Sequence, residues 1–343
     1  MTQDKSLTPR SQLKLLLEFL PTSLVKVIMG VRRSGKSTLA LQAMGGSRYL
    51  YFNFDDEILS QIPVHKLQLL LEIGLELVPK PDYLIFDEIQ NIEGWELFIN
   101  KMHRKKKNII LTGSNSRLLS SELSTHLTGR HLSLELLPFS FNEYLDYQLK
   151  SPQARPLKTE DRLLLKSEFV QYLEMGGFPD LQKIPFKTRV AQHYLKELYD
   201  RVINRDLIQR QKIRNIKVLK ELSLLLMSQA SSRFTYQSLK RALAINSINT
   251  VKNYVGYIQE SYIGFVLEPF SHKIKKRISL PKKFYSIDTA LTQAITRSGS
   301  FDYGKRLENV IYLELRRRGL DFYYIYQSGF EVDFLIKEHR KIK

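Results

Sequence analysis

With 343 residues and 43% hydrophobic side chains, the chain has room for two to four domains and enough apolar matter for a core in each. It contains no cysteine, which excludes disulfides, thiolate zinc sites and cysteine nucleophiles and fits a reducing cytoplasm. The formal charge of +18 is uneven: residues 201–343 hold 27 Lys and Arg against 12 Asp and Glu (+15), and residues 1–200 hold 26 against 23 (+3). A near-neutral half joined to a basic half suggests a polyanion-binding part, although lysines and arginines also simply solubilise surfaces.

The first segment, residues 1–21, has a short apolar run broken by Lys14 and Glu18. It predicts an amphipathic helix, not a signal peptide, and no stretch approaches the roughly 18 apolar residues of a membrane span. The expectation is a soluble, cytoplasmic protein with no membrane partner. Apolar, β-branched runs follow at 24–29, 49–54, 83–86, 108–111 and, more weakly, 131–136. Helical patterns at 37–44 and 64–77 lie among them, so an α/β domain with a parallel sheet is predicted.

This pattern stops near Pro138. A polar stretch at 150–158 reads as a surface loop or hinge. Helical spacing then dominates at 162–175, a GGFP turn falls at 176–179, and a long basic helix is expected over 187–211. Three shorter helices at 218–229, 235–243 and 247–259 precede candidate strands at 263–267 and 283–286, with the basic run KIKKR (273–277) between the strands. That order is the order of a winged helix. A helix at 304–319 and strands at 322–326 and 331–336 complete the chain.

The chemistry is concentrated in two places. Gly30-Val31-Arg32-Arg33-Ser34-Gly35-Lys36-Ser37 matches G-x-x-x-x-G-K-[ST] between a strand and a helix, the setting of a phosphate-binding loop. Its backbone N–H groups, together with Thr38 at the helix start, are expected to cradle phosphates. Lys36 is expected on the β- and γ-phosphates and Ser37 on Mg²⁺. The second place is the strand 83–86, which runs into Asp87 and Glu88. Asp87 is the predicted metal partner, and Glu88 the predicted base or water-orienting group.

Ser114 and Asn115, at the end of the strand 108–111, suit a water-orienting role or merely a turn. Asn53 is placed to hold Glu88 until a ligand binds. Arg130 can serve as a finger on a neighbouring subunit's γ-phosphate or as a helix C-cap. Arg32 and Arg33 add positive charge to the loop or bind an acidic side chain. On the predicted winged helix, Asn249, Thr250, Lys252 and Asn253 suit base edges and phosphates. Lys273, Lys275, Lys276 and Arg277 would add phosphate contacts from the wing. A winged helix can equally dock a protein. The seven histidines show no ligand spacing.

Together the phrases GVRRSGKSTL (30–39), IFDEIQNIEGW (85–95), LTGSNSRLLSSE (111–122), LTGRHLSLELLPFSFNEYL (127–145), GGFPD (176–180), RLEN (306–309) and EVDFLI (331–336) resemble a family of prokaryotic AAA-type ATPases over nearly the whole chain. The resemblance implies an AAA-like core (1–145), a helical lid (146–215), a winged helix (216–286) and a partial restriction-endonuclease-like region (287–343). In such nuclease folds Glu308 and Asp333 would match two of the metal-binding positions. Only ten residues follow Asp333, and no strand carrying Glu-x-Lys is predicted among them. The expectation is therefore a truncated nuclease-like end in which Glu308 and Asp333 are structural.

Three functions compete. The first is a DNA-dependent ATPase using ATP and Mg²⁺ to remodel or move on duplex or branched DNA, as an oligomer and in the extreme a hexameric ring. The second is a slow nucleotide switch that docks a partner protein, as in defence or signalling. The third, nuclease action, is opposed by the missing Glu-x-Lys.

Overall fold

The computed structural model describes residues 8–114, 129–149, 159–185, 188–211, 213–296, 302–327, 329–338 and 341–342. The expected hinge at 150–158 lies outside them. Two compact units divide at Leu136/Leu137.

The first unit is a five-stranded parallel sheet. Its strands are β1 (Val25–Met29), β2 (Tyr49–Asn53), β3 (Tyr83–Asp87), β4 (Ile109–Gly113) and β5 (His131–Glu135), in spatial order β2-β3-β4-β1-β5. All five predicted strands are present within two residues of their expected ends. Strand residues alternate between the two sheet faces. Val25, Val27, Leu50, Phe52, Leu84, Phe86, Ile109 and Leu111 meet helices α3 (Leu67–Leu77) and α4 (Trp95–Arg104). Ile28, Ile85, Ile110 and Leu134 meet α1 (Gln12–Phe19) and α2 (Lys36–Met44). Both faces are covered, which is why these strands read as nearly continuous apolar runs.

The second unit begins with α5 (Phe141–Leu149), α6 (Thr159–Met175) and α7 (Arg189–Arg201). Ser140 and Glu143 form a reciprocal cap at the start of α5. The predicted single helix over 187–211 is divided: α7 passes at Val202 into a π-helical segment, Val202–Gln209, whose Asp206 is fully buried. Next come α8 (Ile216–Ser228), β6 (Ser232–Phe234), α9 (Tyr236–Ala242), α10 (Ile248–Glu260), β7 (Gly264–Leu267), α11 (Ile274–Ser279) and β8 (Lys282–Ser286). The three strands form an antiparallel sheet in the order β6-β8-β7. Asn215, Thr235 and Ser247 cap α8, α9 and α10 with side-chain oxygens.

The remaining elements are α12 (Thr289–Thr296), α13 (Tyr303–Arg317), β9 (Phe322–Gln327), β10 (Phe330–Glu338) and β11 (Lys341–Ile342), with the sheet order β11-β10-β9. A short strand, β11, follows Asp333, and its two residues contain no Glu-x-Lys. The sequence reading also passed over β6, α5, α11 and α12. The strand and three helices are only three to nine residues long, too short for periodicity to stand out.

The GGFP turn has a packing explanation within this unit. Gly176 has φ +72, and a Cβ there would collide with the Asp288 carboxylate. A Cβ on Gly177 would collide with the Phe139 carbonyl, whose own N–H donates to Gly177 O at 2.7 Å. Tyr172 completes this clamp by donating its hydroxyl to Phe139 O at 2.7 Å.

Candidate functional site

Nucleotide sites in open parallel sheets form at the carboxyl ends of the strands, where β1 runs into Gly30. The loop turns through left-handed backbone at Arg33 (φ 66) and Gly35 (φ 95). Gly30 is required by contact: a Cβ there would strike the Leu136 carbonyl, because Leu136 N–H is bonded to Met29 O at 2.7 Å. The helix α2 then starts at Lys36 with its N-terminus facing into the loop.

Lys36 is buried. Its Nζ donates to Gly30 O and Val31 O, both at 3.2 Å, and lies 3.2 Å from Glu88 Oε1. Ser37 Oγ donates to Asp87 Oδ2 at 2.7 Å. The residues predicted for phosphate, metal and water, 50 or more positions apart in the chain, thus converge. Arg32 pairs with Asp55 at 3.5 Å, so the acidic-partner reading holds for it. Arg33 and Thr38 are exposed, and Val31 is buried under the loop.

Two loop-side hydroxyls, Ser34 Oγ and Ser114 Oγ, are buried and have no hydrogen-bond partner among the described residues. A bound phosphate or water would satisfy such hydroxyls, which otherwise cost free energy. With the open helix end and the Ser37–Asp87 oxygen pair, they make the site chemically suited to a nucleotide and Mg²⁺. Asn115 lies outside the described residues.

Four participants escaped the sequence reading. Thr112, on β4, donates to Asp87 Oδ1 and accepts the Glu88 N–H at 3.0 Å, fixing both acidic residues from the neighbouring strand. Tyr51, on β2, donates to Asp87 Oδ2 at 2.5 Å; burial and the Asp87 carboxylate raise its phenol above the ordinary value. Gln90 Nε2 donates to Glu88 Oε2. Arg10, buried ahead of α1, donates to Ser34 O at 2.7 Å. Tyr51 lies on a predicted strand and Thr112 directly after one, each two residues from a candidate named above (Asn53 and Ser114), and Gln90 lies within residues 85–95. Arg10 has no local signal.

Asn53 is a correction. Its side-chain oxygen accepts the Asp55 N–H at 3.0 Å, an Asx turn that commits it to its own loop, while Lys36 and Gln90 hold Glu88. Burial would raise the Glu88 carboxyl, but Lys36, Arg32 and the Gln90 hydrogen bond bring it down to about 2. It is therefore ionised at neutral pH.

Arg130 is exposed and directly precedes β5; its carbonyl accepts the Val25 N–H at 3.0 Å. Since β1 and β5 are parallel and in register, Arg130 stands at the amino end of the sheet, away from its own phosphate loop.

In the second unit, Asn249, Lys252 and Asn253 are exposed on α10 and Thr250 is half-buried. Lys252 Nζ lies 5.7 Å from the Tyr236 ring. Lys275, Lys276 and Arg277 lie in the short helix α11 with Lys273 at its N-cap, between β7 and β8 where the wing was predicted. The three lysines are exposed, and the Arg277 guanidinium lies 6.0 Å from the Tyr323 ring.

Glu308 and Asp333 come together around Lys283 of β8. The buried Lys283 Nζ lies 2.8 Å from Glu308 Oε1 and 2.7 Å from Asp333 Oδ1, and also pairs with Glu331. Tyr285 donates to Glu308 at 2.6 Å. Burial would lower the lysine, yet three carboxylate contacts raise it above its ordinary value. An ammonium occupies the centre of these carboxylates, as befits a structural tie. Among the described residues no cluster of three or more His, Asp or Glu is arranged to hold a metal, and no helix is long and apolar enough to cross a membrane.

Residues 22–145 match the AAA domain family, and residues 166–302 match a domain of unknown function. An uncharacterised protein of Methanocaldococcus jannaschii is 36% identical over 327 residues, covering 91% of this chain and 72% of that protein. An uncharacterised protein of Haemophilus influenzae is 27% identical over 345 residues, covering 96% and 84% respectively. Among solved structures, the Walker-type ATPase of Pyrococcus abyssi superposes with a TM-score of 0.53 at 11% identity, covering 86% of this chain and 97% of that one. At that identity the likeness concerns the fold.

Proposed function

This chain belongs to the family of the 36%-identical Methanocaldococcus jannaschii protein and carries an AAA domain over residues 22–145, and we propose that it hydrolyses ATP and couples hydrolysis to action on DNA. The carrying observation is the convergence of the loop on the two carboxylates, Lys36 with Glu88 at 3.2 Å and Ser37 with Asp87 at 2.7 Å. In the proposed reaction, Lys36 and the loop N–H groups hold the β- and γ-phosphates. Water attacks the γ-phosphorus, its proton passes to Glu88, and the bond from the γ-phosphorus to the bridging oxygen breaks, leaving ADP and inorganic phosphate. Ser37 and Asp87 would hold Mg²⁺, which when bound neutralises charge on the phosphates. Ser114 and the segment after it remain the proposed water-orienting side, with Thr112 fixing Asp87 and the Glu88 backbone.

The DNA part of the reading is supported by the exposed polar face of α10, by the lysines of α11 and by the charge of +15 over residues 201–343. The order α8-β6-α9-α10-β7-α11-β8 is read as a winged helix. Arg130, remote from its own loop, suits a finger for a second copy, which supports an oligomer. The test is ATP turnover with and without duplex, forked and junction DNA at low salt, together with sizing of Glu88→Gln with ATP. Absent turnover sinks the ATPase. Turnover indifferent to DNA, with no complex formed, sinks the DNA role. Replacing Lys252, Lys273, Lys275 or Lys276 by Ala should each lower the slope of log affinity against log salt by about 0.9 for a duplex contact.

A second reading, a slow nucleotide switch for a partner protein, is favoured by the two contacts that occupy Glu88. It predicts very low turnover and a protein partner captured only with one nucleotide.

A further inference from the structure

The carboxylate assigned above as base has both oxygens engaged by neighbouring side chains. Glu88 Oε1 faces Lys36 Nζ at 3.2 Å, and Oε2 accepts from Gln90 Nε2. The peptide at Glu88 is also fixed. Its backbone is left-handed (φ 53), its N–H is bonded to Thr112 Oγ1, and the 3-10 turn Ile89–Asn91 follows at once. That turn is pinned in its own right, since Asn91 Nδ2 donates to Phe54 O at 2.9 Å. Gln90 is therefore presented to Glu88 by a rigid turn, half-buried and two residues away.

We propose that Gln90 is the positioning residue of Glu88, and that Lys36 and Gln90 together form a resting clamp from which ATP releases only the Lys36 side. The inference rests on the ATPase reading for its consequence and on these two contacts for its content. The two contacts differ in what substrate does to them. Lys36 is the phosphate ligand, so an arriving triphosphate, with several charged oxygens, outcompetes one carboxylate for its ammonium. Oε1 is then free to accept a proton from water. Gln90 carries no charge, so the phosphates do not compete for it as they do for the Lys36 ammonium; Oε2 stays held and the carboxylate keeps its aim. A base with one oxygen anchored and one free is oriented; a base with both free rotates, and misplacement of about 1 Å can cost on the order of a hundredfold in rate. The same lysine thereby makes Glu88 inactive without ATP and available with it.

Two measurements decide this. With EDTA present, so that nothing turns over, equilibrium ATP binding is compared for wild type, Glu88→Gln and Gln90→Met. Glu88→Gln frees Lys36 in advance and should bind ATP about tenfold tighter, whereas Gln90→Met should stay within about twofold of wild type. With Mg²⁺, Gln90→Met should lower kcat about tenfold with KM unchanged within about twofold, and Gln90→Glu, which repels Glu88 and donates nothing, should lower it further. An unchanged melting temperature in both variants shows that the turn is intact. The clamp is overturned if Glu88→Gln binds ATP no more tightly than wild type. The positioning role is overturned if Gln90→Met keeps its kcat, or if its ATP binding in EDTA weakens in step with kcat. A wild type that binds ATP but never hydrolyses it defeats the ATPase reading, and the EDTA comparison still decides the clamp.

Discussion

The backbone N–H of Gly177 donates to a carboxylate oxygen of Asp288 across 2.6 Å, joining residues 111 positions apart. Asp288 also accepts the Leu291 N–H at 2.9 Å. Burial raises its carboxyl to about 6 despite these donors. A folded-state value above the unfolded one of 3.8 means that the folded protein binds the extra proton. The associated stability is present below pH 3.8 and is lost as pH rises through about 6. At 1.36 kcal/mol for each tenfold change in acidity, the loss is about 3 kcal/mol between pH 4 and 7. Asp288→Asn should flatten this part of the profile in urea titrations at pH 4.5 and 7.5. A variant whose slope matches wild type would mean that the group does not titrate there.

Gly177→Ala should be among the most damaging small substitutions in the second unit. The new methyl would meet the Phe139 carbonyl, which is held by Tyr172 and by its own backbone bond to Gly177. Backbone cannot rotate aside as a side chain does, so a cost of about 3 kcal/mol or more is expected. Gly256→Ala, where a Cβ meets nothing within 4 Å, is the control and should melt close to wild type. Equal melting temperatures for the two would sink the packing explanation of the GGFP turn.

Lys283→Met should leave Glu308, Glu331 and Asp333 facing one another without their cation. Lys283 is 1% exposed and Glu308 15%, whereas Asp333 is 53% exposed. The Glu308 contact therefore matters most, and a loss of about 3 kcal/mol is expected. Adding Glu308→Gln to Lys283→Met should restore part of it, a coupling read from a double-mutant cycle by urea denaturation. Strict additivity would show that the tie contributes nothing.

Arg130→Ala should leave ATP affinity of the isolated chain unchanged, because the residue stands at the opposite end of the sheet from its own loop. In an assembled oligomer, loss of a finger should lower kcat by a factor on the order of 10³. Turnover that survives the substitution in the assembled state removes the finger and leaves the helix-capping alternative.

Much of the first unit was legible because its signals are local. A strand buried on both faces is an apolar run wherever it falls, and the 30–37 loop needs contiguous residues at set spacing. So the five strands, Lys36, Ser37, Asp87 and Glu88 could be found in the chain, along with the uneven charge and the absence of cysteine. Three helices and two of the three strands of 216–286 were legible in outline for the same reason, whereas the three-residue β6 and the short α11 were not.

Tertiary structure alone decided who holds whom. Whether Asn53 or Gln90 restrains Glu88 depends on which side chain a turn aims at the carboxylate, and Asn53 is spent on the Asp55 N–H. Tyr51 and Thr112 reach Asp87 because β2, β3 and β4 are neighbours in the sheet, although 36 and 25 residues respectively separate these pairs in the chain. Lys283 settles the place of Glu308 and Asp333 from a strand of another sheet. Hydrogen bonds and ion pairs act over about 3 Å whatever the sequence separation, so composition and spacing name the groups, and packing chooses their partners.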